Sequence, residues 1–235
     1  MAIYLHEIIT IDRSGKEGYL EALRTGWVPY AEQSRGMRLV WIGSTIGSTA
    51  HWPETMAMWE LRDWEHYAEV CDRMYTESTG DATLKDWWQA AFKFRQRSHS
   101  QTLVGADFSP RLDELLERGV SGTAYSFASY RFAPGRGRDF LAALARRVPL
   151  DAAHGRQLVG AYEVAFTNSA AYAVWAHRGL KEICEYEAGL RSDGAIAEWQ
   201  RSVAGLLEHA SEFWGFATPA SPLWPKDYKT ETRIW

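Results

Sequence analysis

The sequence lacks the features that mark several large protein classes. It has two cysteines among its 235 residues, Cys71 and Cys184, and their positions give no metal-ligand spacing, so we predict buried free thiols in a reducing compartment. No apolar run approaches the length of a membrane-spanning helix, and the N-terminus has no basic and apolar signal pattern. We therefore expect a cytoplasmic protein with no membrane partner.

Basic stretches and nucleotide-binding motifs are missing as well. The formal net charge is −4, and the absence of a run of Lys and Arg argues against nucleic acid as a partner. No Gly-x-Gly-x-x-Gly follows a predicted strand, and His6-Glu7 lacks the second histidine of a zinc-protease motif. The sequence predicts no metal and no cofactor.

Aromatic side chains are abundant, with twelve tryptophans, and several of them repeat along the chain. Trp59, at the end of an apolar stretch, has its counterpart 116 residues later in Trp175, and Tyr4 has its counterpart 121 residues later in Tyr125. Such a repeat decides the architecture. It predicts a first unit at 1–110, a linker at 111–121 with a helical turn, a second unit at 122–222 and a tail at 223–235.

The hydrophobic pattern gives each unit the order βαββαβ. In the first unit, strands are predicted at 3–12, 37–45, 55–61 and 101–106, and helices at 15–33, 63–74 and 82–98. In the second, strands are predicted near 122–132, 156–166, 170–177 and 212–217, and helices near 135–153, 179–188 and 194–210. Ser14 and Glu17 have the spacing of a capping box at the first helix, and 76–80 reads as a loop.

This order is that of a ferredoxin-like α+β unit, whose sheet carries helices on one face only. The other face has to be covered. Two tandem units satisfy that requirement by packing sheet to sheet. The predicted fold class is therefore α+β, with two ferredoxin-like units forming a pseudo-dimeric α+β barrel within one chain.

The motif Trp59-Glu-Leu-Arg-Asp-Trp64 after a Tyr-Leu helix resembles the dimeric α+β barrel superfamily. The unit endings Asp107-Phe-Ser-Pro110 and Thr218-Pro-Ala-Ser-Pro222 resemble its NIPSNAP branch. The resemblance implies a fold shared by cofactor-free monooxygenases, muconolactone-type isomerases, cyclases, a hydroxynitrile lyase and tandem haem enzymes. It implies a site between one sheet and its own helices, and it transfers no catalytic residue.

The two units can be compared with each other in place of an alignment. The first has ionisable side chains where the second has apolar ones, which predicts that the first unit holds the active site. The pairs are His6 and Phe127, Glu7 and Ala128, and Glu60 and Ala176.

Glu7 is the leading candidate for a catalytic acid or base. Period-two alternation places it on the same face of the first strand as Ile3 and Ile11, the face expected to meet the helices. A carboxyl group on an apolar face holds its proton more tightly, which suits general acid or base catalysis. The alternative is a buried glutamate paired with Arg62 or Arg95, with no chemistry.

Three further residues are candidate catalytic groups: His6, on the opposite face of the strand, Glu60, and His99, expected just before the fourth strand. Their structural alternatives are a hydrogen-bonded core histidine for His6 and a helix C-cap for His99. His51, on an inserted loop, is either part of a lid or a surface residue. The expected aromatic walls of the substrate site are Trp27, Tyr30, Trp59, Trp87 and Trp88.

The leading hypothesis is a cofactor-independent isomerase, cyclase or lyase that transfers protons on a small apolar or aromatic substrate. A cofactor-free monooxygenase is the first alternative. A haem enzyme with His99 or His177 as axial ligand is the second, and a non-enzymatic binding module is the third. The chain is expected to be a monomeric pseudo-dimer or a homodimer.

Overall fold

The computed structural model describes residues 1–12, 14–76, 81–190 and 192–228, and it contains eight strands in those ranges. The strands are β1 (Ile3–Ile11), β2 (Arg38–Thr45), β3 (Glu54–Leu61), β4 (Arg95–Gly105), β5 (Ala124–Phe132), β6 (Gln157–Val164), β7 (Ala170–His177) and β8 (Leu207–Ala217). The helices are α1 (Lys16–Ala22), α2 (Val28–Arg35), α3 (Trp64–Thr76), α4 (Ala82–Phe92), α5 (Leu112–Glu117), α6 (Gly137–Ala153), α7 (Leu180–Leu190) and α8 (Gly194–Val203). Most of the predicted 76–80 loop, and the end of the tail, lie outside the described residues.

The strands close into one antiparallel barrel in the order β1-β3-β2-β8-β5-β7-β6-β4. Each unit contributes four adjacent strands, and the units join at two short seams. At one seam 43–45 of β2 pair with 215–217 of β8, and at the other 103–105 of β4 pair with 162–164 of β6. The predicted sheet-to-sheet pseudo-dimer is therefore a closed barrel, in which the edge strands of each sheet pair with the other unit.

Alternation along the strands separates three cores. Side chains such as Trp41, Tyr125 and Phe127 fill the barrel interior. A second core, including Trp59, lies between the first sheet and helices α1 to α4, and a third, including Trp175, lies under the helices of the second unit. The repeated tryptophans thus anchor equivalent helix-facing cores, where burial of large aromatic surface stabilises each unit.

The fourth strand of each unit begins earlier than predicted. β4 begins at Arg95 and β8 at Leu207, so the predicted helices 82–98 and 194–210 are too long, ending at Phe92 and Val203 instead. The early parts of β4 and β8 are mostly polar and exposed, with little strand preference of their own. β4 pairs with β1 and β8 with β5 along their length, and this pairing holds the polar segments extended. Contacts between residues distant in sequence thus override the weak strand preference of these segments.

The first helix begins differently from the prediction. Its N-cap is Gly15, with no side-chain cap hydrogen bond, so the predicted Ser14 capping box is wrong. The Gly15 N–H donates to the Asp12 carbonyl at 2.7 Å, and a side chain at Gly15 would press against the Phe94 ring at 2.7 Å. Packing of Phe94 therefore sets this turn. A π-helical turn, Leu23–Trp27, separates α1 from α2.

The linker and the cysteines also have defined places. The linker contains helix α5, in agreement with the predicted helical turn. Cys71 is partly buried, but Cys184 is exposed, so the prediction of two buried thiols is wrong for Cys184, which lies on the outer surface of α7.

Among the described helices, none combines the length and apolar character needed to cross a bilayer.

Candidate active site at the barrel mouth

The barrel interior opens at one end into a cavity of about 710 Å³. It exceeds in volume the clefts beside Arg178 and Phe108, at about 380 and 520 Å³. Its walls come from strands of both units and from the loop that joins β2 to β3. The lining residues are Ile8, Thr10, Thr49, Ala50, His51, Trp52, Glu54, Gln96, Arg97, His99, Ser211, Glu212 and Phe213.

The loop between β2 and β3 is held in place by the second unit. Thr49 Oγ1 accepts a hydrogen bond from the Trp214 N–H at 2.9 Å, and the Ile46 N–H donates to the Trp214 carbonyl at 2.9 Å. Thr45 Oγ1 also donates to the His51 carbonyl at 2.8 Å. These bonds to β8 and β2 fix the segment that carries His51 and Trp52 over the cavity.

Glu54 is the acidic group of this cavity with a perturbed pKa. Strand pairing places it directly opposite Thr10 on β1, and Thr10 pairs on its other side with Arg97 on β4. Burial raises the pKa of the Glu54 carboxyl, while His51, a hydrogen bond from Thr10 Oγ1 at 3.5 Å and His99 lower it by less. Its proton is therefore held more tightly than that of an exposed glutamate.

His51 and His99 are the two predicted site residues that the fold brings together here. Both side chains are exposed at the rim. His99 lies within β4, paired with Ile8, because the strand begins earlier than predicted. The described part of the chain contains no group of three His, Cys, Asp or Glu side chains able to hold a metal ion.

His6 lies below the cavity, fully buried inside the barrel. Its ring stacks on Phe127 at 5.4 Å, and Phe127 stacks on the cavity residue Phe213 at 5.1 Å. Nδ1 lies 3.3 Å from Gln101 Nε2, while Nε2 has no hydrogen-bond partner among the described residues. Burial, with a smaller contribution from His99, lowers the pKa of His6 to about 3. The ring is therefore neutral and forms part of the barrel core.

Replacement of His6 by Phe, the residue of the second unit, is expected to reduce acid sensitivity. Between about pH 6.5 and 3 the unfolded chain binds a proton that the folded His6 does not, so stability falls as the pH is lowered through that range. Between about pH 7 and 5, the variant should lose about 2 kcal/mol less unfolding free energy than the parent. Urea denaturation at each pH measures this difference, and equal losses would contradict the burial of a neutral His6.

Glu7 faces the helices as predicted, on the opposite side of the sheet from the cavity. Its Oε2 accepts a hydrogen bond from Trp59 Nε1 at 2.8 Å. Burial raises the pKa of Glu7, and the Trp59 hydrogen bond and Arg95 lower it by less. Glu7 therefore has the raised pKa expected of it, but its carboxyl group does not line the 710 Å³ cavity.

The predicted aromatic walls pack on one another. Trp27 contacts Trp59, Trp87 and Tyr30 with ring centroids 6.3, 4.9 and 5.7 Å apart, and Trp87 contacts Trp88 at 4.6 Å. The Tyr30 hydroxyl donates to Asp81 Oδ2, linking α2 to the start of α4. None of the five predicted wall residues lines the 710 Å³ cavity, whose walls lie at the barrel mouth and not between the first sheet and its helices.

Glu60 has the contacts of a structural residue. It is 1% exposed, and Oε2 accepts hydrogen bonds from the Tyr4 hydroxyl and the Leu112 N–H, both at 2.9 Å. Arg111 and Arg38 lie 3.3 and 3.7 Å from Oε1. These bonds anchor the first turn of α5, the linker helix, to β3, and they leave Glu60 far along the strand from Glu54.

His177, the other histidine proposed as a haem ligand, is buried in the second unit. Its Nε2 lies 3.0 Å from Ser126 Oγ, and burial, with a smaller contribution from Arg156, lowers its pKa to about 3. His99 lines the cavity, whereas His177 does not. A haem-binding role stays a prediction that rests on His99.

Glu54 was not predicted as a site residue, although the sequence contains a signal for it. Its repeat counterpart is Ala170, at the same spacing that relates Trp59 to Trp175. This is the contrast of ionisable and apolar residues that singled out Glu7. Arg97 and Phe213 were missed for another reason, since 97 was expected in a helix and the cavity draws on both units.

Solved structures share this fold over most of the chain. A candidate monooxygenase from Lactobacillus acidophilus NCFM aligns over 92% of this chain and 93% of its own, with a TM-score of 0.62 and 8% identity. An anthrone oxidase-like protein aligns over 92% and 91%, with a TM-score of 0.61 and 10% identity. A NIPSNAP family protein from Agrobacterium tumefaciens str. C58 aligns with 47% of this chain and 98% of its own, at a TM-score of 0.39 and 19% identity.

No protein-family model and no curated protein matches the chain. The two near full-length likenesses, together with the closed barrel, confirm the predicted dimeric α+β barrel fold. At these sequence identities the two structures show a common fold only, so the chemistry of this chain has to be inferred from its own residues.

Proposed function

We propose that the chain is a cofactor-independent enzyme that removes a proton from a small apolar or aromatic substrate in the barrel-mouth cavity. The observation that carries the proposal is Glu54, a carboxyl group of raised pKa in a cavity of about 710 Å³. Cavities of this size suit small-molecule ligands. A carboxylate that is harder to ionise is the stronger base once ionised.

The cavity provides groups for each part of such a reaction. Trp52, Phe213 and Ile8 offer apolar contact for a flat substrate. Glu54 accepts the proton, and Thr10 opposite it helps to orient the carboxylate. His99 and Arg97 are N–H donors on the same wall, suited to stabilise the negative oxygen that develops as the proton leaves. Return of the proton at another carbon completes an isomerisation.

A second candidate is a cofactor-free monooxygenase, which shares this first step. The fold likeness to a candidate monooxygenase and to an anthrone oxidase-like protein favours testing it. A carbanion formed when a CH₂ carbon loses a proton to Glu54 would react with O₂. That carbon becomes a carbonyl: one oxygen atom enters the substrate, the other leaves as water with the two hydrogens that the carbon gives up, and oxidation of the carbon supplies the electrons that O₂ takes up. Oxygen consumption separates this course from isomerisation.

The test measures proton removal directly. Purified protein is incubated without oxygen in D₂O with anthrone or phenylpyruvate, and exchange at the acidic carbon is followed by NMR. We expect saturable exchange above the buffer rate, and admission of air then shows whether O₂ is consumed in proportion to product. Exchange at the buffer rate with both compounds would contradict proton transfer on enolisable aromatic substrates.

A further inference from the structure

The second unit carries a buried cation under its helices. The Arg156 guanidinium is 3% exposed and lies between two rings, 4.7 Å from the Trp175 centroid and 4.5 Å from the Tyr186 centroid. It forms an ion pair with Glu212 and donates to Ser126 Oγ at 2.6 Å. Aromatic faces and a carboxylate together stabilise a desolvated cation.

The equivalent place in the first unit has no such residue. Leu39 pairs with Trp59 on β3 as Leu158 pairs with Trp175 on β7. Met37 and Arg156, each two residues earlier, therefore occupy equivalent positions. Met37 is 2% exposed and apolar, so the first unit has no guanidinium at this position; its buried guanidinium, Arg35, lies instead over the Tyr30 ring at 5.3 Å.

The carboxylate is nevertheless present in the first unit, on a neighbouring strand. Glu212 pairs with Ala128 on β5, and the equivalent pair in the first unit is Ser100 with Glu7 on β1. The carboxylate of the first unit therefore lies on the neighbouring strand, at the same level of the sheet as Glu212 in the second.

Glu7 has no counter-charge in hydrogen-bond contact. Within the described residues, Trp59 Nε1 is its hydrogen-bond donor and it forms no ion pair. Arg95 contributes a weaker, more distant attraction, because its guanidinium lies over the Trp88 ring at 4.9 Å. Glu7 as a residue nevertheless keeps partial exposure to solvent.

Two polar atoms in the same core also lack partners. The Tyr19 hydroxyl and Trp87 Nε1 are buried with no hydrogen-bond partner in the described part of the chain. Tyr19 lies close to Glu7. Burial is the main cause that raises the pKa of the Tyr19 hydroxyl, and the negative charge of the Glu7 carboxylate is the next. Buried polar groups are normally satisfied, and a polar ligand beside Glu7 would give the Tyr19 hydroxyl a partner.

We propose that the first unit binds an organic ammonium or guanidinium ligand at Glu7, with the carboxylate as counter-charge and the Trp59 and Trp27 rings as cation–π partners. The ligand would occupy the role that Arg156 fills in the second unit. This second site lies on the other face of the sheet from the barrel-mouth cavity and does not depend on the proposed function.

The test compares a cation with its neutral analogue. The ¹⁵N-labelled full-length protein is titrated with phenethylammonium chloride or with phenethyl alcohol, and the Trp59 indole N–H resonance is assigned with Trp59→Phe. We expect saturable shifts of this resonance with the ammonium compound and at least tenfold weaker binding of the alcohol. Equal affinities, or no saturable shift with the ammonium compound, would overturn the proposal.

Two variants then locate the site. Glu7→Gln should weaken ammonium binding about tenfold or more and leave alcohol binding unchanged. Met37→Arg places the second unit's cation in the first unit and should abolish ammonium binding. Glu54→Gln is the matched control, because it removes a carboxyl group on the opposite face of the sheet and should not alter this titration. Ammonium binding that survives Met37→Arg in the folded protein would also overturn the proposal.

Discussion

Replacement of Glu54 by Gln is expected to lower kcat/KM for proton removal by about 10²–10⁴-fold while the protein stays folded. Glutamine keeps the shape of the side chain and its contact with Thr10, but it cannot accept the proton. Burial, which raises the pKa of this carboxyl, makes it a stronger base than an exposed glutamate. The exchange assay in D₂O measures the loss.

A surface carboxyl group supplies the matched control for this change. Glu21 on α1 pairs with Arg24 at the surface, remote from the cavity. Glu21→Gln should retain the parent kcat/KM within about twofold. Full activity of Glu54→Gln, with a correct circular dichroism spectrum, would remove Glu54 from the chemistry.

Replacement of Arg156 by Met is expected to destabilise the protein by about 3 kcal/mol, because it leaves Glu212 without its buried cationic partner. The change installs the residue that the first unit has at this position. It also removes donors to Ser126 Oγ and to the Tyr186 hydroxyl, at 2.6 and 2.8 Å. Urea denaturation followed by circular dichroism measures the loss.

A double variant separates the unpaired charge from the lost packing. Arg156→Met with Glu212→Gln removes both charges and should recover a substantial part of the unfolding free energy lost by Arg156→Met alone. If Arg156→Met is as stable as the parent, the ion pair with Glu212 does not hold this core together.

The fold could be predicted because its determinants recur along the chain. Trp59 and Trp175, with the apolar residues around them, mark the same helix-facing core twice, and the order of strands and helices follows from local hydrophobic spacing. The errors fell where distant contacts override local preference. The polar stretch around His99 is a strand because β1 pairs with it.

The candidate site was only partly predictable, for a physical reason. Glu7 faces the helices as predicted from alternation along β1, and two of the predicted site residues, His51 and His99, line the cavity. Closure of the barrel brings Glu54, Arg97 and Phe213 into one cavity, and no local pattern carries that information. Conversely, sequence could not show that Trp27 and Trp87 would pack against each other.

A crystal structure of the protein with an unreactive analogue of a substrate found in the exchange assay would locate the active site. We expect the analogue in the barrel mouth, in contact with Phe213 and Ile8, with its acidic position beside the Glu54 carboxylate. An analogue bound instead between the first sheet and its helices, beside Glu7 and Trp59, would contradict the assignment of the active site.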